Sequence, residues 1–127
     1  MTDKTSWLAP ERVVEIMLPE VIDNAFIDAV DPEVNAMLEM ASQPVHILVD
    51  TRHIKKYPSA QTSMKLSYYK HPRMGVLVMI GLTANPVLRF LGSLVARGAG
   101  IKIKDFSTRD EALAYLKAME QIEQQDL

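Results

Sequence analysis

Cysteine is absent from the 127-residue chain. That excludes disulfides, thiolate metal sites and a cysteine nucleophile, and it fits a reducing, cytoplasmic setting. Long apolar runs are also missing. The longest, Val76 to Ile80, is strand-sized, far short of the roughly 18 to 20 residues of a membrane span, so no transmembrane segment is expected. The opening residues, MTDKTSWLAPERVVE, hold no apolar core of the kind a secretion signal needs. No linker, repeat or low-complexity tract divides the chain, and one domain is expected over residues 1–127. Acidic residues are missing from one long segment. Residues 51–104 carry ten basic residues and no Asp or Glu, whereas residues 1–50 carry ten acids against Lys4 and Arg12. Two readings stay open: a positive face that draws anions or acidic partners, or acidic and basic segments that pack side by side and neutralise each other.

What is present suits a globular core: 48% of residues are hydrophobic and 24% charged. Arg12 to Leu18, rich in Val and Ile and ended by Pro19, reads as a strand, with Trp7 and Leu8 as a preceding strand broken off by Pro10. Asp31-Pro32-Glu33 reads as a helix start, with Asp31 as cap and Pro32 in the first turn, and Pro44 as its stop. Val45 to Val49 is a strand, and residues 59–70 form a second helix ended by His71-Pro72. Gly75 to Ile80 is a buried strand. Asn85-Pro86 opens a third helix by the same cap logic, and Gly98 and Gly100 end it. Ile101 to Ile103 is a last strand, and Ser107 and Thr108 cap a final helix. This alternation predicts an α/β fold, with about four helices on a four- to five-stranded, mostly parallel mixed sheet. Function in such sheets gathers on loops leaving the carboxyl ends of strands, here 50–59, 81–86 and 104–108.

No catalytic constellation appears along the chain. His46, His53 and His71 lie on different elements without a metal-site spacing, and no G-x-S-x-G elbow surrounds any serine. The expectation is a protein that is not an enzyme and needs no cofactor or metal. Tyr57, Tyr68 and Tyr69 sit among lysines but match no nucleic-acid motif, so no nucleic-acid partner is expected. Val87, Phe90, Leu91, Leu94 and Val95 give helix 86–97 an apolar stripe flanked by Arg89 and Arg97. It reads as a core face, with a membrane-surface or partner-binding face as the alternative; if exposed, it would also suit a homodimer. The stretch KKYPSAQTS, residues 55–63, carries the strongest local signal. Pro58-Ser59 suits a helix start, where the Ser59 hydroxyl either caps the helix or carries a phosphate beside Lys55 and Lys56.

Three stretches together resemble one family: VHILVDTRHIKKYPSAQ, GVLVMIGLTANPVLRFLGSLVARGAGIKIKDF and STRDEALAYLKAM. Over residues 10–122 the chain resembles the STAS superfamily, and within it the SpoIIAA-like branch, whose small members are also compared with lipid-binding CRAL-TRIO domains. The resemblance implies a STAS-like domain. It further implies a non-catalytic regulatory or protein-interaction module like the anti-sigma-factor antagonists, which bind a partner kinase and are switched by serine phosphorylation. Their D-S-S-G motif falls here on Pro58, Ser59, Ala60 and Gln61, so Ser59 stands at the phosphoacceptor position. Arg52, Lys55 and Lys56 would then shape an anion- or partner-binding loop. The lipid-binding comparison implies an alternative, a carrier or sensor of an apolar small molecule held between sheet and helices, with Met37, Met40, Met64 and Met79 as candidate lining residues.

Overall fold

A computed structural model of the chain describes residues 4–57, 62 and 65–125. Five strands form one sheet: β1 (Thr5–Ala9), β2 (Val13–Ile16), β3 (Val45–Asp50), β4 (Met74–Ile80) and β5 (Ile103–Phe106). They lie in sequential order, with β1 antiparallel to β2 and β2 to β5 all parallel. Among the described residues three α-helices accompany them: α1 (Asn24–Met40), α2 (Pro86–Ala99) and α3 (Arg109–Gln125). The architecture is therefore α/β with a mixed, mostly parallel sheet, and no described helix is long and apolar enough to cross a membrane.

The helix count differs from the expected four. Much of the segment 59–70 lies outside the described residues; within its described part, Thr62 is helical, Leu66 is extended and Ser67–Lys70 form a single 3-10 turn. Leu66 and Tyr68 are buried there and anchor the turn to the α1 side of the sheet.

The first helix starts earlier than its Asp31-Pro32 signal. Asp23 is the N-cap, its Oδ1 accepting from the Phe26 N–H at 2.9 Å, and Pro32 stands inside the helix on an exposed position. A proline in a helix interior costs about 3 kcal/mol. Starting at Asn24 buries Phe26, Ile27 and Val30, each contributing roughly 1.5–3 kcal/mol, so the longer helix wins. Asp31 acquires a tertiary role instead, accepting from the Ser67 hydroxyl at 2.8 Å and the Tyr68 N–H at 3.1 Å. The helix ends at Met40, before Pro44.

Strand periodicity divides the core between two faces. Val14, Ile16, Ile47, Val49 and Leu77 pack under α1, whereas Val13, Leu48, Val76, Val78 and Ile80 pack under Ala112 and Leu116 of α3. Thr108 caps α3, its hydroxyl accepting from the Glu111 N–H at 3.2 Å and donating to the Glu111 carboxylate at 3.1 Å. Arg109 ties the start of α3 to β2 through Glu15 at 2.5 Å. Asn85 caps α2 by accepting from the Val87 and Leu88 N–H groups, and Gly100 ends that helix at φ +70°.

A bulge near the start of β4 explains His46. The register slips between Val45 and Ile47 of β3, leaving Gly75 and Val76 opposite the single residue His46. The displaced Val76 N–H donates to His46 Nδ1 at 2.9 Å. A Cβ at Gly75 would lie 2.5 Å from that ring nitrogen and 2.9 Å from the Val45 carbonyl oxygen. Replacing the ring strands a buried N–H, at about 1–3 kcal/mol; adding a methyl at position 75 overpacks by a similar amount. Urea unfolding of His46→Ala and Gly75→Ala should each show a midpoint lowered by about 1–3 kcal/mol of stability with the slope unchanged. Wild-type midpoints in both variants would remove the bulge from the account.

Candidate functional site

The segments leaving the carboxyl ends of the parallel strands line a partly open apolar cavity of about 130 Å3 on the α1 side of the sheet. Ile16, Val49, Leu77, Met79 and Ile103 form its floor from four adjacent strands. Leu18 and Ile22 follow β2, and Phe26, Ile27 and Val30 come from the first turns of α1. The opposite wall is Leu88, Leu91, Gly92 and Val95 of α2, with Leu82 from the turn after β4. Gly92 permits this approach, since a Cβ there would lie 3.2 Å from Leu82 Cδ2. Among the described lining residues Thr51, Tyr57, Tyr68 and Tyr69 carry polar side chains, and none is charged.

The tyrosine pair stacks edge to face, with ring centroids 4.8 Å apart. Burial pushes both phenols up, Tyr69 to about 12 and Tyr68 well above its ordinary value, with the Asp31 carboxylate adding to the rise. Both hydroxyls therefore stay protonated across the physiological range, and they share a hydrogen bond with each other. Thr51 is buried, and its hydroxyl donates to the Ile80 carbonyl at 2.7 Å.

The loop 51–57 sends two kinds of side chain in opposite directions. Ile54 and Tyr57 line the cavity, whereas Arg52, Lys55 and Lys56 are exposed. Arg52 clamps Asp50 through both carboxylate oxygens, with Nε at 3.0 and 3.2 Å and Nη2 at 2.8 Å. The Arg52 N–H adds a further bond to Asp50 Oδ1 at 3.0 Å. The Arg52 hydrogen bond is the main reason that the Asp50 carboxyl titrates below its ordinary value, with partial burial opposing it. Lys55 Nζ lies 3.4 Å from Glu20 Oε2. The Lys55 and Lys56 N–H groups both donate to the Glu20 carbonyl, at 2.7 and 3.0 Å, and Val21 bridges to Lys56. Two of the three basic candidates thus already engage carboxylates from the acidic first segment. Their loop is the outer rim of the apolar cavity.

Ser59 and Met64 lie outside the described residues. The remaining methionine candidates divide. Met79 lines the cavity; Met37 and Met40 do not. They lie toward the other end of α1, on a shallow surface groove with Trp7, Glu33 and Ala36, where Met37 is buried and Met40 is 67% exposed. Choosing lining residues by side-chain type overlooked where along α1 the cavity opens. The α2 stripe also divides: Leu91 and Val95 face the cavity, while Val87 and Phe90 are 52% and 64% exposed. The three histidines stay apart. His46 serves the bulge, His53 is exposed, and His71 contacts Glu39 at 2.7 Å while its Nδ1 accepts from the Arg73 N–H. Among the described residues no group of three or more His, Asp or Glu side chains could hold a metal ion. Ile22, Ile54, Leu82 and Gly92 were not singled out from the sequence, because each is an isolated residue brought in from a different segment. No family model, curated protein or solved structure matches the chain.

The Arg52–Asp50 clamp makes a titration prediction. A carboxyl with a lowered folded value lends stability above its unfolded value, near 3.8, and loses it as pH falls through the folded value. Side-chain carboxyl NMR should place the Asp50 midpoint below 3.8 in the wild type and return it upward in Arg52→Ala. Equal midpoints in the two proteins would show that the clamp does not persist in solution.

Proposed function

We propose that this protein is a non-catalytic binding module that takes a small apolar molecule in the cavity between α1, α2 and the sheet. The observation that supports this reading is a cavity whose wall is almost wholly apolar, at the carboxyl ends of parallel strands, where ligands of open α/β sheets bind. A well-filled core closes such space, because voids forfeit dispersion contacts. The resemblance to lipid-binding domains of STAS-like shape points the same way. Binding to the folded state alone raises stability, by about 2.7 kcal/mol at a ligand concentration of 100 times Kd. Thermal unfolding under saturating toluene should therefore shift upward by on the order of 10 °C. Val95→Phe, which pushes a larger ring into the cavity, should abolish the shift. A wild-type melting curve that ignores toluene, benzene and hexane alike would defeat this reading.

A second reading is supported by the exposed half of α2. Val87 and Phe90 stand out beside Arg89, and the resemblance to anti-sigma-factor antagonists implies a protein partner. The simplest partner is a second copy joined through α2. Sedimentation equilibrium should then show a concentration-dependent dimer that Phe90→Asp disrupts. A wild-type chain that stays monomeric at every loading would eliminate self-association through this helix.

A further inference from the structure

The cavity also constrains the charge and size of its occupant. Its described wall contains no Lys, Arg, His, Asp or Glu. The cations of the 51–57 loop are exposed, with Arg52 held by Asp50 and Lys55 beside Glu20. Asp31 lies behind the tyrosine pair, and its oxygens are already occupied by the Ser67 hydroxyl, the Tyr68 N–H and the Asn35 side chain. An ionised ligand would enter without a counter-charge, and an anion would also feel Asp31. Burying a charge unpaired is far costlier than burying a hydroxyl that finds one hydrogen bond. Tyr68 and Tyr69 line the cavity and share one hydrogen bond between their hydroxyls, which leaves one hydroxyl hydrogen to offer that bond.

Volume sets the size. A dry apolar cavity of roughly 150 Å3 is known to hold benzene, and the cavity here is about 130 Å3. We propose that the site selects a compact, uncharged ligand, a single ring or short alkyl chain bearing at most one hydroxyl or carbonyl group, and rejects the ionised counterparts. This inference rests on the ligand-binding reading above and narrows it to a chemical class. Tyr69 is the specificity residue that meets the ligand's oxygen.

Four near-isosteric probes separate the possibilities: toluene, benzyl alcohol, benzoate and benzylammonium, titrated at neutral pH while amide NMR signals of Leu82, Gly92 and Val95 are followed. Toluene and benzyl alcohol should shift these signals saturably. Benzoate and benzylammonium should bind at least about 10-fold to 100-fold more weakly. Tyr69→Phe should weaken benzyl alcohol by about 3- to 10-fold while leaving toluene unchanged. Benzoate or benzylammonium binding as tightly as benzyl alcohol would overturn the charge selection and leave the ligand-binding reading standing. Silence from all four probes would overturn both. Equal losses for toluene and benzyl alcohol in Tyr69→Phe would reduce Tyr69 to a packing residue and overturn its part in recognition.

Discussion

The strand order, running β1 to β5 without a single exchange, is the constraint on which the rest of the molecule depends. Crossovers between neighbouring parallel strands are right-handed, so three successive crossovers in one direction must all lie on the same face. Among the described residues that face receives α1, the described part of the 51–73 connection and α2, and the other receives α3, reached after the chain leaves the last strand. The described part of the middle crossover includes the 51–57 loop and the turn at Ser67–Lys70, whose apolar residues line the cavity between α1 and α2.

Charge follows the same geometry. The basic middle segment leaves β3 beside the acidic segment that leaves β2, so Glu20 meets Lys55 and Asp50 meets Arg52 within the rim of the cavity. Exposed pairs of this kind contribute little stability. Their consequence is directional: with the cations engaged outward, Ile54 and Tyr57 of the same loop turn inward. The block layout of charge along the chain thus resolves, at this loop, into local neutralisation. Elsewhere, Lys102 precedes the outer strand β5 and Lys104 stands on it, both exposed, where charge discourages edge-to-edge pairing.

Much of this was legible in the sequence, and the misses have identifiable causes. Asn85-Pro86 and Asp31-Pro32 carry the same local signal, yet only the first opens a helix. Upstream of Pro86 the chain turns through Gly81, at φ +81°, whereas upstream of Pro32 the apolar stripe continues to Phe26 and finds its own cap in Asp23. Local capping chemistry was overridden by burial. The last strand begins at Ile103 because Gly100 ends α2 and residues 101–102 complete the return to the sheet edge. The bulge at Gly75 had no readable signature, since its cause is the ring of His46 on the next strand. The site was legible as a location, the carboxyl ends of the strands, but not as a set of residues. Its walls draw single side chains from segments with no shared periodicity, and of the methionines chosen for their adaptability Met79 lines the cavity while Met37 and Met40 lie toward the other end of α1.

These threads meet in an apolar chamber at the carboxyl ends of the parallel strands, lined in part by protonated tyrosines, with one wall on a helix whose outer surface is partly apolar. A ligand touching Leu88, Leu91 and Val95 would touch α2 directly, so occupancy and the exposed face of that helix share one element. The most direct test is native mass spectrometry of the protein purified from its own cell under gentle conditions. The expected result is a folded chain carrying one small, uncharged, organic-extractable molecule that toluene displaces. A chain found only with covalent phosphate or a protein partner, and with no small molecule that toluene displaces, would contradict the binding account.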